Sequence, residues 1–274
     1  MQRIFHVIVG LTLVSSLTSG CTKQRIGAEK AIASVVVSPQ QEEQIGQQVK
    51  QELEQKEKIQ YVQDPAVVEY VRQLSAPILA QASKERPDVK WKVNVINDPK
   101  TVNAFATPGG YLYVYTGLLL AADTEAELAG VMAHEAGHVV ARHSARAMVN
   151  QYGLQAISQM ALGNNPGAAA QIASQLVTGG TMLAHGRSEE SEADTYGARY
   201  ASGAGYDPHG LITFFQKLQA EQGKTPAVMK WLSTHPTNEQ RIADLNKYIA
   251  QNRLTGANNN PGQLPAIKKK LGGK

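Results

Sequence analysis

Residues His134 to His138 read His-Glu-Ala-Gly-His in the middle of a long helical pattern. Positions four apart lie one above the other on a helix face. The imidazoles of His134 and His138 are therefore set to grip one metal ion. Glu135 follows the first histidine directly and can reach a water bound to that ion. Two ligands and a general base at this spacing form the signature of helix-borne zinc sites that hydrolyse peptide bonds. Two histidines and a glutamate also meet on a helix by chance, so the weight falls on what else the chain carries.

A catalytic zinc takes three protein ligands and leaves a fourth position for water. Residues 187–194 read Arg-Ser-Glu-Glu-Ser-Glu-Ala-Asp, again in a helical context. Glu190 and Asp194 are four apart and share a face, so Glu190 is the proposed third ligand. Asp194 would then hold a ligand imidazole by its other nitrogen and fix its tautomer. Glu189 and Glu192 compete with Glu190, one and two residues off that face. Taken alone, such a run reads as a solvated acidic helix face.

The rest of the chain reads as one mostly helical α+β domain over residues 38–251. Ser38 with Gln41, Glu42 and Glu43 suggests a capped helix start running to about Gln60. Asp64-Pro65 starts a second helix, with Val67, Val68, Val71, Leu74 and Ile78 at helical spacing. Trp91 to Ile96 alternates like a strand. Ala104 to Thr107 and Tyr111 to Tyr115, joined by Pro108-Gly109-Gly110, read as a hairpin. The motif helix is expected from about Thr124 to Asn150, with Thr124 and Glu127 as a capping box. Residues 151–183 are rich in Ala, Gly, Gln and Asn, a pattern that fits helices over the site or a mobile lid. Further helices are expected near 188–203, 208–222 and 237–251. Residues 252–274 read as a disordered basic tail, because Thr255 to Gly262 is rich in helix breakers and Lys268, Lys269, Lys270 and Lys274 follow.

The N-terminus suggests an address. Residues 1–20 hold Arg3, an apolar run from Ile4 to Val14 and small residues at the end, as in a signal peptide. They lead into Cys21, the single cysteine of the chain. A small-residue stretch before a lone Cys reads as a bacterial lipoprotein signal, with Cys21 lipidated and residues 21–37 a flexible tether. Thr22 after the cysteine suggests the outer membrane. No later apolar run approaches the ~20 residues needed to span a bilayer. The formal net charge of +4 is mild and spread out, and no nucleic-acid module is recognisable.

Several stretches in order resemble a known family. They are Asn103 to Leu118 (Asn-Ala-Phe-Ala-Thr-Pro-Gly-Gly-Tyr-Leu-Tyr-Val-Tyr-Thr-Gly-Leu), Glu127 to His138, Arg187 to Asp194, and His235-Pro236 with Arg241 five residues on. Together they resemble the zinc metallopeptidase family of the prenyl-protein endopeptidase and the bacterial heat-shock membrane protease, and most closely its soluble periplasmic lipoprotein branch. The likeness covers roughly residues 40–250. It implies a zincin-like domain with a small sheet or hairpin beside the motif helix. It implies one zinc ion per chain on His134, His138 and Glu190, with Glu135 as the base. Gly186 and His185 depart from the family pattern without touching those residues.

On this reading His235 and Arg241 are the candidates to stabilise developing negative charge. His235 has two further readings: a fourth zinc ligand that keeps the enzyme latent, or a helix-entry residue away from the metal. His143, His185 and His209 are expected to serve the surface or packing. The strand around Asn103 to Thr107 could pair with an extended substrate backbone. The expected substrates are unfolded or misassembled envelope polypeptides, in the service of protein quality control, with the outer-membrane assembly machinery as a further partner. The alternative is a periplasmic chaperone or adaptor for outer-membrane protein assembly with a gated zinc site. The intact Glu135 argues against it, since a structural zinc site needs no base.

Overall fold

The computed structural model describes residues 37–161, 174, 185–221, 231–236 and 239–273. The signal segment, Cys21 and the tether up to residue 36 lie outside the described residues. So do residues 162–173 and 175–184, most of the stretch left open between helices and a lid.

The opening helix α1 (Pro39–Gln55) starts where the polar pattern placed it. Ser38 Oγ accepts from the Gln41 N–H at 3.3 Å, and Gln41 Oε1 accepts from the Ser38 N–H at 2.6 Å. This reciprocal pair satisfies two backbone donors that a helix start leaves free. Asp64 caps α2 (Pro65–Glu85) by accepting from the Ala66 N–H at 2.8 Å. Three strands follow: β1 (Lys92–Ile96), β2 (Ala104–Thr107) and β3 (Tyr111–Tyr115). They form one sheet in the order β1-β3-β2. β1 runs parallel to β3, with Val93 opposite Leu112, and β2 runs antiparallel to it, with Phe105 opposite Tyr113. The hairpin therefore leaves β2 on the outside of the sheet.

The short α3 (Thr116–Ala121) leads to the motif helix α4 (Glu125–Val140). Thr124 caps α4 by accepting from the Glu127 N–H at 3.2 Å. The return bond of the expected box goes one residue earlier, from the Asp123 N–H to Glu127 Oε2 at 2.8 Å. Every residue of α4 after Glu125 is buried. It is packed between α2, β2, α6 (Arg187–Gly203) and α7 (Gly210–Glu221). Leu128, Val131 and Met132 enter one core with Ile78, Leu112 and Phe214. Each such side chain contributes about 1.5–3 kcal/mol on burial.

Two features differ from the sequence expectation. The motif helix does not run on to Asn150. It ends at Val140, Arg142 takes a left-handed backbone (φ 59°), and α5 (His143–Ala161) starts afresh, itself broken by non-helical backbone at Gly153. The cause is tertiary. Arg142 Nε donates to the buried Glu42 at 3.1 Å, and its Nη2 donates to the Val37 carbonyl. Arg86 donates to the same Glu42 at 2.7 Å. This network holds a backbone conformation that costs a non-glycine residue about 1 kcal/mol or more.

The second correction concerns residues 252–274, which are not a disordered tail. After α8 (Glu239–Gln251) the chain pairs with the Tyr206 loop at Asn258 and forms α9 (Leu264–Lys270). Leu264 and Ile267 are buried in the main core beside α2 and α3, and Lys270 pairs with Asp64 at 2.9 Å. Two apolar anchors suffice to dock a short helix whose other face is lysine. Among the described residues no helix is long and apolar enough to cross a membrane.

Candidate active site

Close approach of α4 and α6 builds the site. Gly137 lies against α6, where an added Cβ would sit 2.8 Å from Tyr196 Cβ. Gly197 lies against α4, where one would sit 3.2 Å from the His134 backbone. Glycine at these two crossings lets the backbones come this near, and at Gly137 an added Cβ would force a shift. The result sets the His134/His138 face opposite the Glu190/Asp194 face.

The donor atoms converge. His134 Nε2 and His138 Nε2 are 3.0 Å apart. Glu190 Oε2 lies 3.6 Å from His134 Nε2, and Glu190 Oε1 lies 3.4 Å from His138 Nε2. His235 joins them, with Nδ1 3.4 Å from His134 Nε2 and 3.1 Å from Glu190 Oε1. All four side chains are buried. Arms of ~2.0–2.2 Å from a tetrahedral zinc put ligand atoms about 3.3–3.6 Å apart. Lone pairs from three imidazoles and a carboxylate meeting away from water are costly without a cation between them. The residues therefore fit a zinc ion held by His134, His138 and Glu190, with His235 at the fourth corner.

Their surroundings orient them. Asp194 Oδ1 lies 3.0 Å from His134 Nδ1, the nitrogen turned away from the cluster. Arg241 donates to Asp194 through Nε at 2.9 Å and Nη2 at 2.7 Å. Its Nη1 reaches Glu190 Oε2 at 2.7 Å and the Pro236 carbonyl at 2.8 Å. Arg241 is thus buried between two carboxylates and the His235 loop rather than offered to a substrate, contrary to its expectation as an oxyanion donor. Trp231, fully buried, stacks on His235 with ring centroids 4.4 Å apart.

Burial raises the Glu190 carboxyl, but His235, His134 and Arg241 outweigh it and hold it below the usual carboxylate range. Glu135 behaves oppositely. Burial pushes its carboxyl up to about 7, only partly opposed by His134 and His185. Its Oε2 accepts from the Ala106 N–H at 3.1 Å, off the outer edge of β2. Its Oε1 faces His235 Nε2 at 3.3 Å.

The competing glutamates point elsewhere. Glu189 accepts from the Gly186 N–H at 3.1 Å, and Glu192 pairs with Arg146 at 2.9 Å and with His143 at 3.1 Å. Two histidines expected to serve packing or the surface stand at the site instead. His143 is fully buried with Nδ1 2.7 Å from His138 Nδ1, and His185 stacks on His138 at 3.8 Å. Burial holds His143 down at about 4. Neither has a local signal, because each reaches His138 through tertiary structure. His209 stays exposed beside Asp207, as expected.

Residues 65–249 match the sequence profile of peptidase family M48. Mitochondrial metalloendopeptidase OMA1 of Schizosaccharomyces pombe is 33% identical over 182 residues, 66% of this chain and 53% of that protein. The putative beta-barrel assembly-enhancing protease of Vibrio cholerae is 35% identical over 194 residues, 67% of this chain and 39% of that protein. The beta-barrel assembly-enhancing protease of Escherichia coli K12 is 32% identical over 203 residues, 70% of this chain and 41% of that protein. The chain thus spans about two fifths to half of the length of these relatives.

Proposed function

The chain belongs to peptidase family M48, and on that premise we propose that it is a zinc-dependent endopeptidase of the bacterial cell envelope that cleaves unfolded or misassembled envelope polypeptides. The observation that carries the proposal is the buried gathering of His134, His138 and Glu190 with the Glu135 carboxylate beside them. When bound, zinc acidifies a water towards a pKa of ~7 and polarises the carbonyl that the water attacks.

The chain's own residues do the rest. Glu135 accepts the water proton and passes it to the leaving nitrogen. The Ala106 N–H holds one of its oxygens in place while the other takes the proton. The outer edge of β2, apart from the Ala106 N–H that Glu135 occupies, receives an extended substrate segment as an added strand, a mode that reads backbone more than side chains. Asp194, anchored by Arg241, keeps His134 turned so that Nε2 is free to ligate. His235 at the fourth corner supports a latent resting state, in which Trp231 and the Pro236 loop hold the imidazole until the loop moves aside.

The envelope address rests on the lipoprotein pattern of residues 1–21 and on likeness to beta-barrel assembly-enhancing proteases. Lipidation of Cys21 would anchor the protein to the outer membrane, within reach of the assembly machinery. The occupied fourth corner also gives the chaperone or adaptor reading its one support. Casein digestion by wild type and by Glu135→Gln, with holdase activity measured in parallel, separates the two. The enzyme reading expects cleavage lost in Glu135→Gln with zinc retained. Equal holdase activity in both proteins, with no cleavage by wild type or by His235→Ala, selects the alternative.

A further inference from the structure

His143 has no part in the chemistry just described, yet it is fully buried against a residue that does. Its Nδ1 lies 2.7 Å from His138 Nδ1, and its Nε2 lies 3.1 Å from Glu192 Oε2. Arg146 Nη1 donates to the same Glu192 oxygen at 2.9 Å. The chain Arg146–Glu192–His143–His138 therefore ends on the nitrogen of His138 that faces away from Glu190.

We infer that His143 is a positioning residue that sets the tautomer of His138. Two Nδ1 atoms at 2.7 Å share one proton, and the Glu192 end decides which ring owns it. A carboxylate only accepts, so the His143 nitrogen facing it, Nε2, carries hydrogen. A neutral His143 then has its lone pair on Nδ1 and accepts from His138 Nδ1–H. That leaves His138 Nε2 unprotonated, with its lone pair towards Glu190 and His134. The opposite assignment would aim two lone pairs at each other across the 3.1 Å gap to Glu192. His143 Nδ1 thus stands to His138 as Asp194 Oδ1, 3.0 Å from Nδ1, stands to His134.

The break after the motif helix makes this contact possible. On a continuous helix, residues five apart are about 140° around the axis and do not meet. The left-handed backbone at Arg142 (φ 59°) turns the chain so that His143 comes back over His138. The Glu42–Arg142 ion pair at 3.1 Å secures that turn. Strained backbone persists where the surroundings over-determine it, and such positions cluster at functional sites.

The inference rests on His138 being a zinc ligand, so its test uses the full chain with zinc affinity measured by chelator competition and zinc content by elemental analysis. His143→Leu should bind zinc roughly 10–100-fold more weakly, the usual cost of losing such a partner. His143→Gln keeps an acceptor and a donor and should recover most of that loss. Nitrogen-15 spectra of the histidine rings in the wild-type protein, which need no variant to fold, should show the His138 proton on Nδ1 and the His143 proton on Nε2. A doubly protonated His143, a His138 proton on Nε2, or unchanged zinc affinity in His143→Leu would each overturn the relay while leaving the site intact. A wild-type protein that binds no zinc, or a His138→Ala variant that binds it as tightly as wild type, would instead remove the site reading on which the relay stands.

Discussion

Gly137→Ala probes the crossing that makes the site. The new Cβ would lie 2.8 Å from Tyr196 Cβ and 3.0 Å from the Ala193 carbonyl oxygen, both on α6. Carbon atoms settle near 3.5–4.0 Å, so α4 and α6 must part by about 1 Å. Overpacking of this kind costs ~1–3 kcal/mol, and the better helix propensity of alanine returns up to about 1 kcal/mol. The net loss is then about 0–3 kcal/mol, up to several degrees in Tm for a domain of this size. The same opening widens the gaps of 3.4 and 3.6 Å between the histidines of α4 and Glu190 of α6. Zinc ligand distances tolerate only about 0.2 Å. Zinc affinity should therefore fall by about tenfold or more, the scale seen when ligand support is lost. Urea unfolding of the metal-free protein reads the first effect and chelator competition the second. A Gly137→Ala protein as stable as wild type, with zinc bound as tightly, would refute the argument that this glycine sets the helix spacing and the site with it.

Three further outcomes follow from particular contacts. His235→Ala should speed digestion of unfolded substrates with zinc retained if the imidazole gates the site, whereas a fall of about 10²–10³-fold would mark it as a transition-state donor. Glu43 accepts from Lys92 at 2.6 Å, Tyr111 at 3.0 Å and Gln47 at 3.1 Å. Burial raises its carboxyl, but these partners together hold it below its ordinary 4.5. A depressed carboxylate stabilises the fold above its unfolded value and loses that contribution as pH falls through the folded one. Unfolding free energies of wild type and Glu43→Gln should thus differ by ~0.5–1 kcal/mol at pH 7 and converge as the pH falls below the depressed carboxyl, and a gap that persists in acid would contradict this. Ile267→Ala should cost about 2–4 kcal/mol as a buried truncation, against no change in urea midpoint if residues 252–274 were a free tail.

What could be read from the chain follows how local each feature is. The His134–Glu135–His138 face, the Ser38 and Asp64 caps and the hairpin around Pro108-Gly109-Gly110 are written within four or five residues, and the structure has each of them. Glu190 and Asp194 stood out because they share one helix face, and the family likeness singled out Glu190. The turning of Glu189 to Gly186 and of Glu192 to His143 and Arg146 has no such marker. The end of the motif helix was hidden for a related reason. Ala141 and Arg142 are ordinary helix residues, and only the distant Glu42 and Val37 hold Arg142 in its left-handed turn. His143 and His185 were missed as neighbours of His138 for the same cause. Helix α9 escaped notice because two apolar anchors among lysines and turn residues carry little periodicity.

Zinc content per chain in wild type, Glu190→Ala and Glu189→Ala is the most direct measurement of the central claim. The full chain, loaded with zinc and dialysed exhaustively, should hold one zinc ion as wild type and as Glu189→Ala. Glu190→Ala should lose it, because its carboxylate, 3.4 and 3.6 Å from the two imidazole nitrogens, is the proposed third ligand. One tightly held zinc in Glu190→Ala, with affinity unchanged from wild type, would contradict the account.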